Sequence, residues 1–354
     1  MNKKDANELS GVKEIARRAG VSAATVDRVI HKRKGVSDKT RDRINAIIAE
    51  LNYQPNLHAQ RLASRKVVHI ATLIPESSDE TSFWVGPLKG IEEAEAEVMQ
   101  YSVKVHKYFY NQNNKKSFVK QAKAILKARP DGVLLAPSFM EESVHFVTDC
   151  EAQGIPYVLM DSDIPGRSNM SYIGPDLYQS GLLAAHLSSY LLQENDKVLI
   201  VNISKEIDSD HHLLRKEEGF RAYYKEHGRE GIIIKRDIHQ LDHASIEAGI
   251  SKELQRHKNI RVIFVTNSRV SAVAAYVQRL PQKVILIGYD FLKENIDYLH
   301  DRTIDFLICQ KPQQQAYKGV MALYQHIAFS APLGKVHYMP IDIITKENFS
   351  SYEK

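Results

Sequence analysis

Cysteine is almost missing: the 354 residues hold only Cys150 and Cys309, far apart and with no CxxC partner. A disulfide scaffold is excluded, and two lone thiols suit a reducing compartment. Glycine and proline are sparse too, at 17 and 12, which removes collagen-like and low-complexity classes. No stretch reaches the roughly 20 apolar residues of a membrane-spanning helix. Met1-Asn2-Lys3-Lys4-Asp5 lacks the apolar core of a signal peptide. A soluble cytoplasmic chain with no membrane partner is expected. The short motifs of cofactor and catalytic chemistry are absent as well: there is no GxGxxG, Walker A loop, GxSxG or HExxH. His211-His212 and the pair His239 and His243 have no cysteine nearby and read as solvated helix ends rather than metal ligands. Cofactor, metal and catalytic residues are therefore all expected to be none.

What is present is a core-forming 43% of hydrophobic residues and an uneven charge. Of the 48 Lys+Arg and 43 Asp+Glu, 15 and 7 lie between Met1 and Lys66. The formal charge of +5 is thus a surplus of eight on a short head, against a deficit of three on a long body. A basic head on a mildly acidic body points to a polyanion partner for the head alone. The length allows two or three domains.

Residues 12 to 51 read as three short helices. Val12, Ile15, Ala16 and Ala19 have helical spacing, and Gly20 stops the pattern where a left-handed turn is wanted. Ser22 suits the N-cap of a second helix carrying Val26, Val29 and Ile30. Val36-Ser37 opens a third, with Ile44, Ile47, Ile48 and Leu51 on one face. The spacing of Ala16, Gly20 and Val26 is that of a helix-turn-helix: a small residue for close approach, glycine for the turn, valine to pack the second helix on the first. Opposite the core stand Ala23, Ala24, Asp27, Arg28 and His31, then Lys32-Arg33-Lys34. Short and basic groups of this kind can enter a major groove, where an arginine pairs a guanine bidentately.

The run Val12-Lys13-Glu14-Ile15-Ala16-Arg17-Arg18-Ala19-Gly20-Val21-Ser22, with Thr25-Val26-Asp27-Arg28-Val29, resembles the head of the lac-repressor (LacI/GalR) family. The likeness continues through Thr40-Arg41, Leu51-Asn52-Tyr53-Gln54-Pro55-Asn56 and Ala59-Gln60-Arg61-Leu62-Ala63. It implies that Ser22, Ala23, Ala24, Thr25 and Arg28 sit at the groove, and that Lys32, Arg33, Lys34 and Thr40 lie near phosphates. Asp27 departs from the family, which usually has serine there. A carboxylate is repelled by phosphates, so Asp27 either accepts from a cytosine amino group or braces Arg28. The segment from Pro55 to Ser64 is too short for a stable isolated helix. The resemblance implies a hinge helix that orders when two copies meet on DNA, with Asn56 and Ala59 at the duplex and Leu62 as a minor-groove wedge.

From Val67 the pattern alternates. Apolar runs such as 68–74, 132–135, 157–160, 198–201, 262–265 and 284–287 suggest strands, with helical spacing between them. That alternation implies parallel sheets covered on both faces, and its length implies two lobes. Ligands of such sheets bind beyond the carboxyl ends of strands. Found there are Phe83-Trp84, Asp161-Ser162-Asp163, Asn267, Asp290 and Gln310. Aromatic faces beside carboxylates and amides suit a sugar, whose C–H faces stack and whose hydroxyls both donate and accept. These positions are similar to the type I periplasmic sugar-binding fold used by the same repressor family. So are Gly174-Pro175-Asp176 with Gly181, Glu218-Gly219-Phe220 and Lys318-Gly319. The family's effector-contacting arginine falls at Lys216, with Arg215 adjacent.

The expected architecture is a small all-α helix-turn-helix head (1–54), a hinge and linker (55–66), and an α/β body (67–354). The body would have a two-lobed, parallel-sheet, type I periplasmic-binding-protein-like fold. Its lobes would be interleaved, 67–174 with 312–337 and 175–311 with 338–354. The resemblance implies a DNA-binding regulator, a repressor reading a pseudo-palindromic operator under control of a small-molecule sugar effector. The polar ending Thr345 to Lys354 carries no leucine heptad, so a homodimer is expected. Two rivals stay open: the same regulator sensing a nucleobase or partner protein, and a carbohydrate enzyme with a DNA-binding tail.

Overall fold

The computed structural model describes residues 11–30, 33–53, 67–78, 81–166 and 171–352. The chain divides at Arg65 into two units, residues 1–65 and 66–354.

In the first unit α1 spans Val12–Ala19, α2 Ala23–Ile30 and α3 Asp38–Glu50. Gly20 ends α1 in the left-handed region, at φ 62°, where a side chain would be strained. Ser22 and Ser37 each accept a backbone N–H at the start of the following helix, from Thr25 at 3.2 Å and from Thr40 at 3.4 Å. Ile15, Ala16, Ala19, Val26, Val29 and Ile44 form the core. Glu14 is buried beside them, a polar residue that hydrophobic spacing does not anticipate. It bonds Arg17 and Arg18 at 2.8 Å, and Arg18 also reaches Glu50 on α3.

The second unit runs β1 (Val68–Pro75), α4 (Val85–Val98), β2 (Val103–Tyr110), α5 (Lys115–Ala128), β3 (Gly132–Leu135), α6 (Met140–Ala152), β4 (Tyr157–Met160) and β5 (Ser171–Gly174). It continues with α7 (Leu177–Ser189), β6 (Lys197–Ile203), α8 (His211–Glu226), β7 (Ile233–Ile238), α9 (His243–Arg256), β8 (Ile260–Val265) and α10 (Val270–Val277). Last come β9 (Ile285–Tyr289), α11 (Lys293–His300), β10 (Phe306–Cys309), α12 (Pro312–Phe329), β11 (Val336–Tyr338) and β12 (Asp342–Ile344).

Two six-stranded sheets result, ordered β11-β5-β4-β3-β1-β2 and β12-β10-β9-β8-β6-β7. Every pairing is parallel except one, the antiparallel addition of β12 to β10. The central strands are apolar throughout because helices cover both of their faces. On the first sheet, α4 and α12 pack over Ile70, Leu134 and Val158; α5 and α6 cover Leu73, Val133 and Leu159. The second sheet has α9, α10 and α11 on one face and α7 and α8 on the other. The chain passes between the sheets three times: after β5, after β10 and after β11. Cys150 and Cys309 are both buried, which pushes their thiols up to about 12 and leaves them unreactive.

Candidate functional site

The carboxyl ends of β4 and β9, one in each sheet, are followed by Asp161 and Asp290 at φ 66° and 69°. A non-glycine residue in this region costs about 1 kcal/mol or more, and such strain concentrates at functional sites. A relay joins the two. Gln310 Nε2 donates to Asp290 at 3.2 Å, Gln315 Nε2 donates to the Gln310 carbonyl at 2.7 Å, and the Asp161 N–H donates to Gln315 Oε1 at 3.0 Å.

The amino end of α8 faces these carboxylates. Asp210 caps the helix and accepts the Ser204 hydroxyl at 3.3 Å. His212 Nε2 lies 3.8 Å from Asp161, and His211 Nε2 is 2.9 Å from Asp163. One turn further on, Lys216 is fully buried, its ammonium 3.4 Å from the centre of the Tyr289 ring. Burial penalises every charge here. It raises the carboxyls of Asp161 and Asp290 while Lys216 draws them back, and it pushes Asp210 up to about 6. It lowers the Lys216 ammonium against the pull of all three carboxylates. His212 falls well below its usual value through burial, then Lys216 and His211, so its ring is neutral.

Around this floor lies a cleft of about 820 Å³, open solvent included, walled by Phe83, Trp84 and Phe139 and by Asn267 and Arg269. The rings of Phe83 and Trp84 meet edge to face at 4.9 Å. Of the residues picked from sequence, Phe83, Trp84, Asp161, Asn267 and Asp290 line the cleft. Gln310 and Lys216 stand buried behind it. Asn267 braces the wall: its amide donates to the Ile203 carbonyl at 2.7 Å and accepts from the Arg269 N–H. Three residues are placed differently. Ser162 is buried with its hydroxyl toward the Asp163 carbonyl, and Asp163 is half exposed beside His211. Arg215 points off the cleft, pairing with Glu218 and lying over the Tyr178 ring.

The reading of His211-His212 as a solvated helix end is corrected: His211 meets Asp163 of the other lobe at 2.9 Å, and His212 is buried at the cleft with its Nε2 facing Asp161 but not bonded to it. Thr81, Ser138, Ser204, Glu206 and Asp210 also line the cleft and were missed. Ser138 and Ser204 follow β3 and β6, so applying the strand-end rule to every strand finds them. Among the described residues no group of three or more His, Cys, Asp or Glu is placed to hold a metal.

On the head, Ala23, Ala24 and Arg28 are exposed along α2. Ser22 bonds the Thr25 hydroxyl at 2.9 Å, and Thr40 bonds that of Ser37. Asp27 pairs with Arg33 at 3.1 Å, so its carboxylate holds a neighbouring cation. Lys34 is exposed. His31, Lys32, Asn56, Ala59 and Leu62, with the hinge 55–66, lie outside the described residues.

A helix-turn-helix head followed by a two-lobed binding body defines a ligand-responsive DNA-binding regulator. Residues 11–56 match the model of bacterial regulatory proteins of the lacI family, and residues 70–331 match the periplasmic binding protein domain. The chain belongs to the lacI family of transcriptional regulators, with a body of the periplasmic-binding-protein type. It is similar to catabolite control protein A of Staphylococcus xylosus, 23% identical over 86% of this chain and 97% of that protein. The sucrose operon repressor of Escherichia coli is 27% identical over 80% and 85%. The crystal structure of a putative LacI transcriptional regulator from Bacteroides fragilis is 28% identical, with a TM-score of 0.76 over 81% of this chain and all of that one. Among the described residues no helix is long and apolar enough to cross a membrane.

Proposed function

We propose that this protein is a cytoplasmic repressor that grips a pseudo-palindromic operator as a homodimer and is switched by a small carbohydrate bound between its lobes. One observation carries the effector half of this reading. Asp161 Oδ1 and His212 Nε2 are buried polar atoms without a hydrogen-bond partner at the cleft, and Lys216 Nζ and Gln310 Oε1, likewise unpaired, are buried behind it. Native proteins leave few such atoms unpaired. A ring of hydroxyls, each both donor and acceptor, answers the two at the cleft, while Phe83 and Trp84 take its apolar face. Two relatives are named for sugar operons, sucrose and ribose. A nucleobase is less well served, since the edge-to-face Phe83 and Trp84 offer no parallel slot.

In the head, Arg28 with Ala23 and Ala24 would read base edges, Arg33 and Lys34 would lie along phosphates, and Leu62 would wedge the centre. Two heads related by a twofold axis read a site of the same symmetry. Effector binding that favours one arrangement of the lobes shifts operator affinity by the difference in its affinity for the two states. The test starts from an operator selected out of random duplexes, followed by anisotropy titrations with monosaccharides and disaccharides. At least one sugar is expected to change operator affinity about 5- to 150-fold. Asp290→Ala is expected to bind the operator normally and ignore the sugar. Operator affinity indifferent to every sugar, or a variant that still responds, overturns the proposal.

A further inference from the structure

We infer, on the reading of the cleft as the effector site, that Lys311 is a positioning residue for it: paired with Asp342, it holds the strained turn that sets Gln310 and Gln315 in the relay between Asp161 and Asp290. Lys311 itself does not line the cleft.

The turn between β10 and α12 is the second passage of the chain between its sheets. Lys311 stands there at φ 56° and ψ 54°. Two separate effects oppose that conformation. A residue with a Cβ is crowded in the left-handed region, and a residue before proline, here Pro312, is pushed toward extended backbone. Such strain persists only where the surroundings over-determine it, and it gathers at functional sites. Glycine would relieve the crowding; this position carries a long cation instead.

The cation fastens the turn. The Lys311 ammonium lies 2.9 Å from Asp342 Oδ2, with the two side chains only 28% and 27% exposed. Asp342 opens β12, opposite Cys309 in the antiparallel pairing. The ion pair therefore ties the second passage of the chain to the end of the third. The third is tied in turn to the first, since the Met339 N–H donates to the Gly174 carbonyl at 2.8 Å. Burial alone would raise the Asp342 carboxyl, yet Tyr352 and Lys311 together hold it below its ordinary value. The pair is ionised at neutral pH.

The turn reaches the cleft through its neighbours. Gln310, immediately before Lys311, bonds Asp290 with its side chain and offers its carbonyl to the Gln315 amide. The Gln315 backbone N–H donates to the Lys311 carbonyl at 3.1 Å, so Gln315 is fixed to the turn at two points. Gln315 in turn accepts the Asp161 N–H. If the peptide between Gln310 and Lys311 rotated toward ordinary backbone, the Gln310 carbonyl would leave Gln315, and the Asp161 N–H would lose its anchor.

Three variants of the full-length protein test this. They are read by amide hydrogen exchange at Asp161 and by fluorescence of Trp84, the single tryptophan of the sequence and part of the cleft wall. The probes are D-ribose, D-glucose, D-galactose, sucrose and maltose. Lys311→Met keeps the crowded Cβ but loses the pair. It is expected to exchange at Asp161 about threefold faster or more, and to bind a sugar that the wild type binds about fivefold more weakly. Asp342→Asn is expected to do the same. Lys311→Gly loses the pair as well but accepts the left-handed turn, and is expected to bind about threefold tighter than Lys311→Met. An ion pair that only stabilised the fold would give no such recovery. Exchange and affinity unmoved in Lys311→Met, or a glycine variant no better than the methionine one, overturns the inference and leaves the effector reading standing. If no sugar of the panel binds the wild type, that reading falls, and the exchange at Asp161 decides the inference alone, with the same recovery expected of glycine.

Discussion

A carboxylate buried among apolar side chains has to be paired, and Glu14 is paired with two arginines at once. Their hydrogen bonds hold its carboxyl down at about 2, against an ordinary value of 4.5. Because the folded value is the lower one, the stabilisation is complete above pH 4.5 and drains away as pH falls toward 2. Glu14→Gln is therefore expected to destabilise the head at pH 7 and to cost little near pH 2, as read by amide hydrogen exchange of α1 to α3. Equal losses at both pH values would deny the ion pairs their role. Gly20, Ser22 and Ser37 were legible in the sequence because turns and caps are local events. His212 was not, since the carboxylate it faces, Asp161, is some 50 positions away. The choice between Arg215 and Lys216 was legible in principle. Lys216, Gly219 and Phe220 have the i, i+3, i+4 spacing of one helical face, and that face is the buried one.

At the scale of elements, α7 and α8 meet through two glycines. A Cβ on Gly181 would stand 1.9 Å from the Lys216 carbonyl oxygen, and one on Gly219 would stand 2.0 Å from that of Tyr178. Gly90 of α4 meets Gln313 of α12 in the same way in the other lobe. The close crossing seats α8, and with it Asp210, His212 and Lys216, against the cleft. Gly181→Ala forces the helices apart and is expected to cost about 1–3 kcal/mol in urea unfolding, and to weaken effector binding without touching the ligand. A variant of normal stability and affinity would show that the crossing can yield. The central strands were readable because burial on both faces makes them continuously apolar. The edge strands β2 and β7 carry charges on their open faces, and β11 and β12 have three residues each. Neither pattern separates them from loops by composition.

The two lobes of the body are also bonded to each other at the margin of the cleft. The Ser82 N–H and hydroxyl, just before α4, donate to Glu294 of α11 at 3.0 and 2.7 Å. The Thr81 and Ser268 hydroxyls meet at 3.4 Å. Charge-assisted bonds of this kind contribute about 1.5–3 kcal/mol each, so the latch bears on the balance between open and closed lobes. Glu294→Ala is expected to weaken effector binding roughly 10-fold by making closure less favourable, and to raise the radius of gyration in small-angle scattering. Unchanged scattering and affinity would mean that the cleft residues alone close the lobes. None of these bonds was visible in the sequence, because partners more than 180 positions apart leave no spacing to read.

The threefold passage of the chain between its sheets also sets the order in which the protein can be made. The first sheet waits for β11 and for α12, whose Ala316, Val320 and Leu323 cover Leu134 and Val158. Domains generally fold as units during synthesis, so this lobe stays incomplete until nearly the whole chain has left the ribosome. The core of the head is closed within residues 15–44 and has no such wait. A new molecule thus acquires its DNA-reading fold well before it can sense a ligand.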